Sequence, residues 1–194
     1  MNPMNPSRPP IGNLALALCL ALLAAPALAA SPTRANPAQQ APAPLVPPQK
    51  NTVAPLGPVS GYASRQGVRQ CLGRIDQISN FMADGSLGSG ASVFLAPGNP
   101  DRGLVSVSME VQGGNGLSFV NSAFSPSASG CDGEYVAVTY WAGDCEQVAA
   151  GFPGFRLAAA LRQHIVTLDG GPNAKIYLMP AGQGCISIKK EVVY

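Results

Sequence analysis

Charged residues make up only 11 % of this 194-residue chain, and no run of Lys and Arg is longer than the pair Lys189-Lys190. Twelve basic residues against ten acidic ones leave a formal charge of +2. Nucleic-acid binding draws most of its affinity from phosphate neutralisation and needs a dense basic footprint, so no nucleic-acid partner is expected. Histidine occurs once, as His164. The chain has no G-x-S-x-G elbow and no C-x-x-C pair. Structural zinc and thioredoxin-like redox chemistry both want closely spaced ligand or thiol pairs, so neither a metal nor another cofactor is expected. The glycine-rich stretch Gly113-Gly114-Asn115-Gly116 lacks the lysine and the following helix that a phosphate loop uses.

Proline is abundant and unevenly placed, and it divides the chain. Leu14 to Leu23 is an uninterrupted apolar run, followed by Pro26 and the small-x-small pattern Ala27-Leu28-Ala29. Residues 1–29 therefore read as a secretory signal peptide cut after Ala29. The competing reading is an uncleaved signal anchor, because Ile11 to Ala30 carries no charge and is long enough to span a bilayer. A membrane partner is expected only in that case. Residues 30–60 form a Pro/Ala-rich tether with eight prolines, from Pro32 to Pro58, whose composition favours an extended, partly polyproline II spacer. Residues 61–194 form a single globular domain.

Within that domain, Val68, Cys71, Leu72, Ile75, Ile78, Phe81 and Met82 recur at three- and four-residue steps, which predicts one amphipathic helix over Tyr62 to Ala83. The period then changes to two. Val105, Val107, Met109 and Val111 alternate with polar residues, and a return strand is expected from Leu117 to Phe124, with a shorter strand over Ala91 to Leu95 before the pair. Tyr135 to Trp141 is apolar on both faces and is placed centrally. Asp144 with Gln147 caps a second, short helix. A meander over Gln163–Leu168, Ala174–Met179 and Cys185–Val193 completes an α+β fold: an antiparallel sheet of about six to seven strands, two helices and two disulfides.

Four cysteines, Cys71, Cys131, Cys145 and Cys185, remain once Cys19 leaves with the leader. An even count in an exported chain reads as two disulfides. The strand between Cys131 and Cys145 holds those two apart, since seven extended residues separate its ends by about 20 Å. Two connectivities remain. Cys71–Cys145 with Cys131–Cys185, which would tie the helices together, is preferred over Cys71–Cys131 with Cys145–Cys185.

The candidates for chemistry are few. His164 could act as a general base with Asp169 as its orienting carboxylate, and a serine would be needed as nucleophile. The acidic pairs Asp132/Glu134 and Asp144/Glu146 could in principle flank a glycosidic bond. Turn and capping roles account for them more simply, and Asp169 precedes a glycine as turn residues do. Tyr140 and Trp141 are the candidates for a binding surface. These observations favour a non-enzymatic binding or accessory domain, periplasmic or secreted, whose partner is another envelope or extracellular protein. A small secreted hydrolase using His164 or a carboxylate pair is the alternative from another class, and a signal-anchored periplasmic spacer is a third.

Overall fold

The computed structural model describes residues 45–48 and 55–194. The expected signal peptide and most of the expected tether lie outside these residues. Eleven elements follow in order: helices α1 (Pro58–Arg65) and α2 (Leu72–Ala83), strands β1 (Gly88–Leu95), β2 (Val105–Gly113), β3 (Gly116–Ser127) and β4 (Gly130–Trp141), helix α3 (Cys145–Ala150), and strands β5 (Arg156–Leu157), β6 (Val166–Asp169), β7 (Ala174–Ala181) and β8 (Gly184–Val193). All eight strands form one antiparallel sheet in the order β1-β2-β3-β4-β8-β7-β6-β5. The described residues are thus largely sheet, with eight strands where six to seven were expected and three short helices where two were. The α+β class fits it only loosely.

The expected helix over Tyr62 to Ala83 is two helices. Gly67 has φ +99°, a left-handed conformation that breaks the run. The reversed backbone is then anchored from outside: the Asp101 carboxylate accepts the N–H groups of Arg69 at 2.6 Å and Gln70 at 2.8 Å. Hydrophobic spacing carries through the break because Val68 and Cys71, both in the link between the two helices, are buried.

The strand order is that of one unit used twice. Each half starts with a cysteine at the head of a helix, runs through a four-stranded meander, and places its second cysteine at the start of the last strand. Cys71 bonds Cys131 and Cys145 bonds Cys185, with Cα separations of 5.2 and 5.0 Å. This corrects the preferred pairing: each bridge staples a helix to the last strand of its own half and does not join the helices. The excluded pair, Cys131 with Cys145, is indeed apart. The hairpins match in register as well. Pro126 lies opposite Cys131 and Ser127 opposite Gly130 on β3–β4, while Pro180 lies opposite Cys185 and Ala181 opposite Gly184 on β7–β8. Buried Val120, Ser122 and Phe124 on β3 correspond to buried Ala174, Ile176 and Leu178 on β7. The halves meet where β4 pairs with β8, and Val136 faces Lys190, its counterpart after the cysteine. Pro126 and Pro180 therefore sit at strand ends beside two-residue turns.

One face of the sheet carries the core. Strict alternation of buried and more exposed residues on β2 puts Val105, Val107, Met109 and Val111 under the helices. A first cluster gathers these with Ile75, Ile78, Val120, Phe124 and Tyr135; a second, under α3, gathers Val148, Leu168, Ile176, Leu178 and Cys185. Helix α2 crosses β4 at Gly133, where a Cβ would come within 3.0 Å of both Arg74 and Ile78 side chains. Helix α3 is capped as expected, Asp144 accepting the N–H of Gln147 at 2.8 Å. Among the described residues no helix is long and apolar enough to cross a membrane.

Candidate functional site

Period-two alternation sends every second residue to the face the helices leave open. Across the middle of that face the register aligns Phe119 (β3), Val138 (β4), Ile188 (β8) and Tyr177 (β7) in one row. Tyr140, Ile186 and Met179 form the adjacent row. Phe119 and Tyr140 are each 54 % exposed, and Val138, Ile188 and Tyr177 are half-buried. Charged groups border these rows along one side and at the β2 end, where Glu110 lies opposite Phe119. Lys190 pairs with Glu134 at 2.8 Å, and Lys175 pairs with Asp169 at 2.7 Å. An aromatic-ended apolar centre with an ionic margin is the arrangement of a protein-binding patch, whereas singly scattered apolar residues would be ordinary surface.

The sequence candidates fall at different places. Tyr140 lies on the open face, its ring above Gly184, where a Cβ would collide with the Tyr140 phenol and the Trp141 carbonyl. Trp141 points the other way. Its indole donates to the Ser187 hydroxyl at 2.8 Å and meets Phe152 edge-on. The strand expected to be apolar on two covered faces is thus covered on one.

Asp169 ends β6. Its carboxylate accepts the N–H of Gly171 at 2.7 Å and the ammonium of Lys175, and these contacts hold it below the usual carboxylate range, the lysine hydrogen bond first. His164 is exposed in the loop before β6, so the expected strand start at Gln163 is displaced to Val166. His164 stands before the start of β6 and Asp169 at its far end, so the four-residue strand, about 10 Å from end to end, separates the two. No group of three or more His, Cys, Asp or Glu side chains among the described residues is placed to hold a metal ion.

Sequence reasoning missed a polar cluster inside the core. Tyr135 and Glu191 are fully buried, and the Tyr135 hydroxyl donates to the Glu191 carboxylate at 3.0 Å. The same carboxylate accepts the backbone N–H groups of Leu45 at 2.8 Å and Val46 at 3.3 Å. Val46 itself is 2 % exposed among the residues of the first core cluster, and Gln77 donates its side-chain amide to the Pro47 carbonyl. Part of the stretch assigned to the tether is therefore seated on the domain. The Lys189 ammonium lies 5.3 Å from the Phe81 ring centroid and 5.6 Å from that of Tyr135, and burial lowers its pKa against the opposing pull of Glu191. The available signal was positional: Lys189 and Glu191 occupy the inward register of a strand read only as apolar.

No family model, no curated protein and no solved structure matches the chain.

Proposed function

We propose that the chain is an exported, non-enzymatic binding or accessory domain of the bacterial envelope, with the open face of its sheet as the recognition surface. The observation that carries this reading is the row Phe119–Val138–Ile188–Tyr177, laid across four neighbouring strands with Tyr140 beside it. Exposed aromatics such as Phe119 and Tyr140 are the kind of residue that anchors protein interfaces, and the sheet behind them is stapled in both halves. A rigid platform of this kind binds without ordering itself first. The two disulfides fit a compartment outside the reducing cytoplasm, which agrees with the leader. The partner fitted by this patch is another envelope or extracellular protein.

The test is capture from a solubilised envelope fraction by the mature chain and by the double variant Phe119→Ser/Tyr140→Ala. Both side chains are half out of the fold, so the melting temperature should move little. Capture by the native chain and its loss in the variant support the reading. Equal capture by both places the recognition surface elsewhere.

A further inference from the structure

The two edges of the sheet differ. The β5 edge is two residues long and carries Arg156, which is how an edge is normally kept from pairing. The β1 edge is Gly88-Ser89-Gly90-Ala91-Ser92-Val93-Phe94-Leu95, eight residues with no charge and no proline. Its inward-facing residue Ala91 is exposed, although its neighbours across the sheet on β2 and β3, Met109 and Val120, are buried. Helix α1 packs against this strand only in part, and Gly88 to Ser92 stay exposed.

The direction of its free hydrogen-bonding groups follows from the β2–β3 hairpin. That hairpin has a two-residue loop closed by the pair Gly113–Gly116, which is a hydrogen-bonded pair in such turns. Alternation from there turns Val105, Val107, Met109 and Val111 toward β3, and Ser106, Ser108, Glu110 and Gln112 toward β1. On β1, Gly88, Gly90, Ser92 and Phe94 then bond to β2. The N–H and C=O groups of Ser89, Ala91, Val93 and Leu95 point outward.

The strand is complementary to itself. On the open face, Phe94 stands 60 % exposed at one end, and at the other end Gly90 has nothing within 4 Å of where a Cβ would be. A two-fold axis at Ser92 places each Phe94 over the partner copy's bare Gly90, at the closer, non-hydrogen-bonded type of position. An aromatic covering a cross-strand glycine in this way is a known means of stabilising and registering an edge. On the helical face the same register sets Ala91 opposite Val93 and Ser89 opposite Leu95, and no charge meets its own copy. The β5 edge is too short for a head-to-tail chain, so the pairing closes at two.

We propose that β1 is a homodimerisation edge, where two copies of this chain pair antiparallel about Ser92 to continue one sheet across both molecules. The experiment uses the mature full chain in its oxidised form. Light scattering should give twice the monomer mass, and Phe94→Lys should return it to the monomer with an unchanged melting temperature. Ser92→Cys, placed on the axis, should form an intermolecular disulfide under mild oxidation. In the unmodified chain, the amides of Ala91 and Val93 should exchange slowly and become fast on dilution. A monomer at every concentration overturns the proposal, as does a dimer that survives Phe94→Lys and is not cross-linked through position 92. Slow amide exchange that persists in a monomer would mean that β1 is covered by another stretch of its own chain, which overturns it too.

Discussion

The Tyr135 hydroxyl donates to the Glu191 carboxylate at 3.0 Å, and neither side chain reaches solvent. A buried carboxylate is tolerated when its oxygens are occupied, and here the remaining capacity is filled by the Leu45 and Val46 amides, far away in the sequence. Replacing Glu191 by Ala strands these three donors in the core, at about 1–3 kcal/mol for each one left unsatisfied. Glu191→Ala should therefore lower the unfolding free energy by at least about 2 kcal/mol in urea titration. A change within experimental error would mean that the cluster adds nothing to stability.

The seating of Val46 makes a separate prediction. Its side chain is 2 % exposed in the first core cluster. Val46→Ala removes two buried methyl groups, so a loss of about 1.5 kcal/mol is expected. Val46→Asp should release the segment, and limited proteolysis should then cut near Leu45 faster than in the native chain. Equal cleavage rates would place Val46 outside the core.

The alkaline limb of stability is assigned to Tyr135. Burial first, then the charge of Glu191 and the hydrogen bond to it, raise its hydroxyl well above the usual phenol range. The unfolded chain loses this proton near pH 10 while the folded one keeps it, so its contribution is complete below that pH. Above it, stability should fall by about 1.4 kcal/mol per pH unit. Lys189 acts in the opposite sense. Its lowered value means that the folded state releases a proton before the unfolded one does, so stability rises with pH until the unfolded lysine titrates near 10.4. Urea titrations from pH 8 to 11.5 should show the falling limb in the native protein and lose it in Tyr135→Phe. Identical slopes would contradict the assignment.

Each half carries its own staple, so each bridge can be removed separately. The sequence separations are 60 for Cys71–Cys131 and 40 for Cys145–Cys185. Loop-closure entropy depends only logarithmically on such lengths and assigns about 4 kcal/mol to either bridge. The double replacements Cys71→Ala/Cys131→Ala and Cys145→Ala/Cys185→Ala should therefore destabilise by similar amounts. Amide exchange should localise the loosening to α2–β4 in the first and α3–β8 in the second. Peptide mapping that joins Cys71 to Cys145 would contradict the pairing itself.

Much of this architecture is written in local pattern. Alternation over Val105 to Val111 and the Gly113–Gly116 turn specify the β2–β3 hairpin, and Asp144 specifies the start of α3, because these depend on neighbours in sequence. The break at Gly67 is not legible in the sequence because it shows only when the outside contact from Asp101 is known. The cysteine pairing is legible in one feature: Pro126 to Cys131 and Pro180 to Cys185 both read P-x-x-x-G-C. That repeat announces two equivalent hairpins, and equivalent hairpins bond their cysteines within their own halves. The Glu191 cluster was hidden because its ligands come from Leu45 and Val46, which composition assigns to a passive spacer. Which of Tyr140 and Trp141 faces outward is not legible in the sequence, since an apolar residue gives the same signal on a covered face and on an open one.

Site-specific photo-cross-linking in the producing cell tests most directly whether the open face is the surface that meets a partner. With the cross-linker at position 140 on that face, and a control at position 62 on α1 (Tyr62, 43 % exposed), a discrete adduct should form from 140 alone. The adduct should vanish when Phe119 is changed to Ser. Adducts from position 62 and none from position 140 would show that recognition occurs on the helical side.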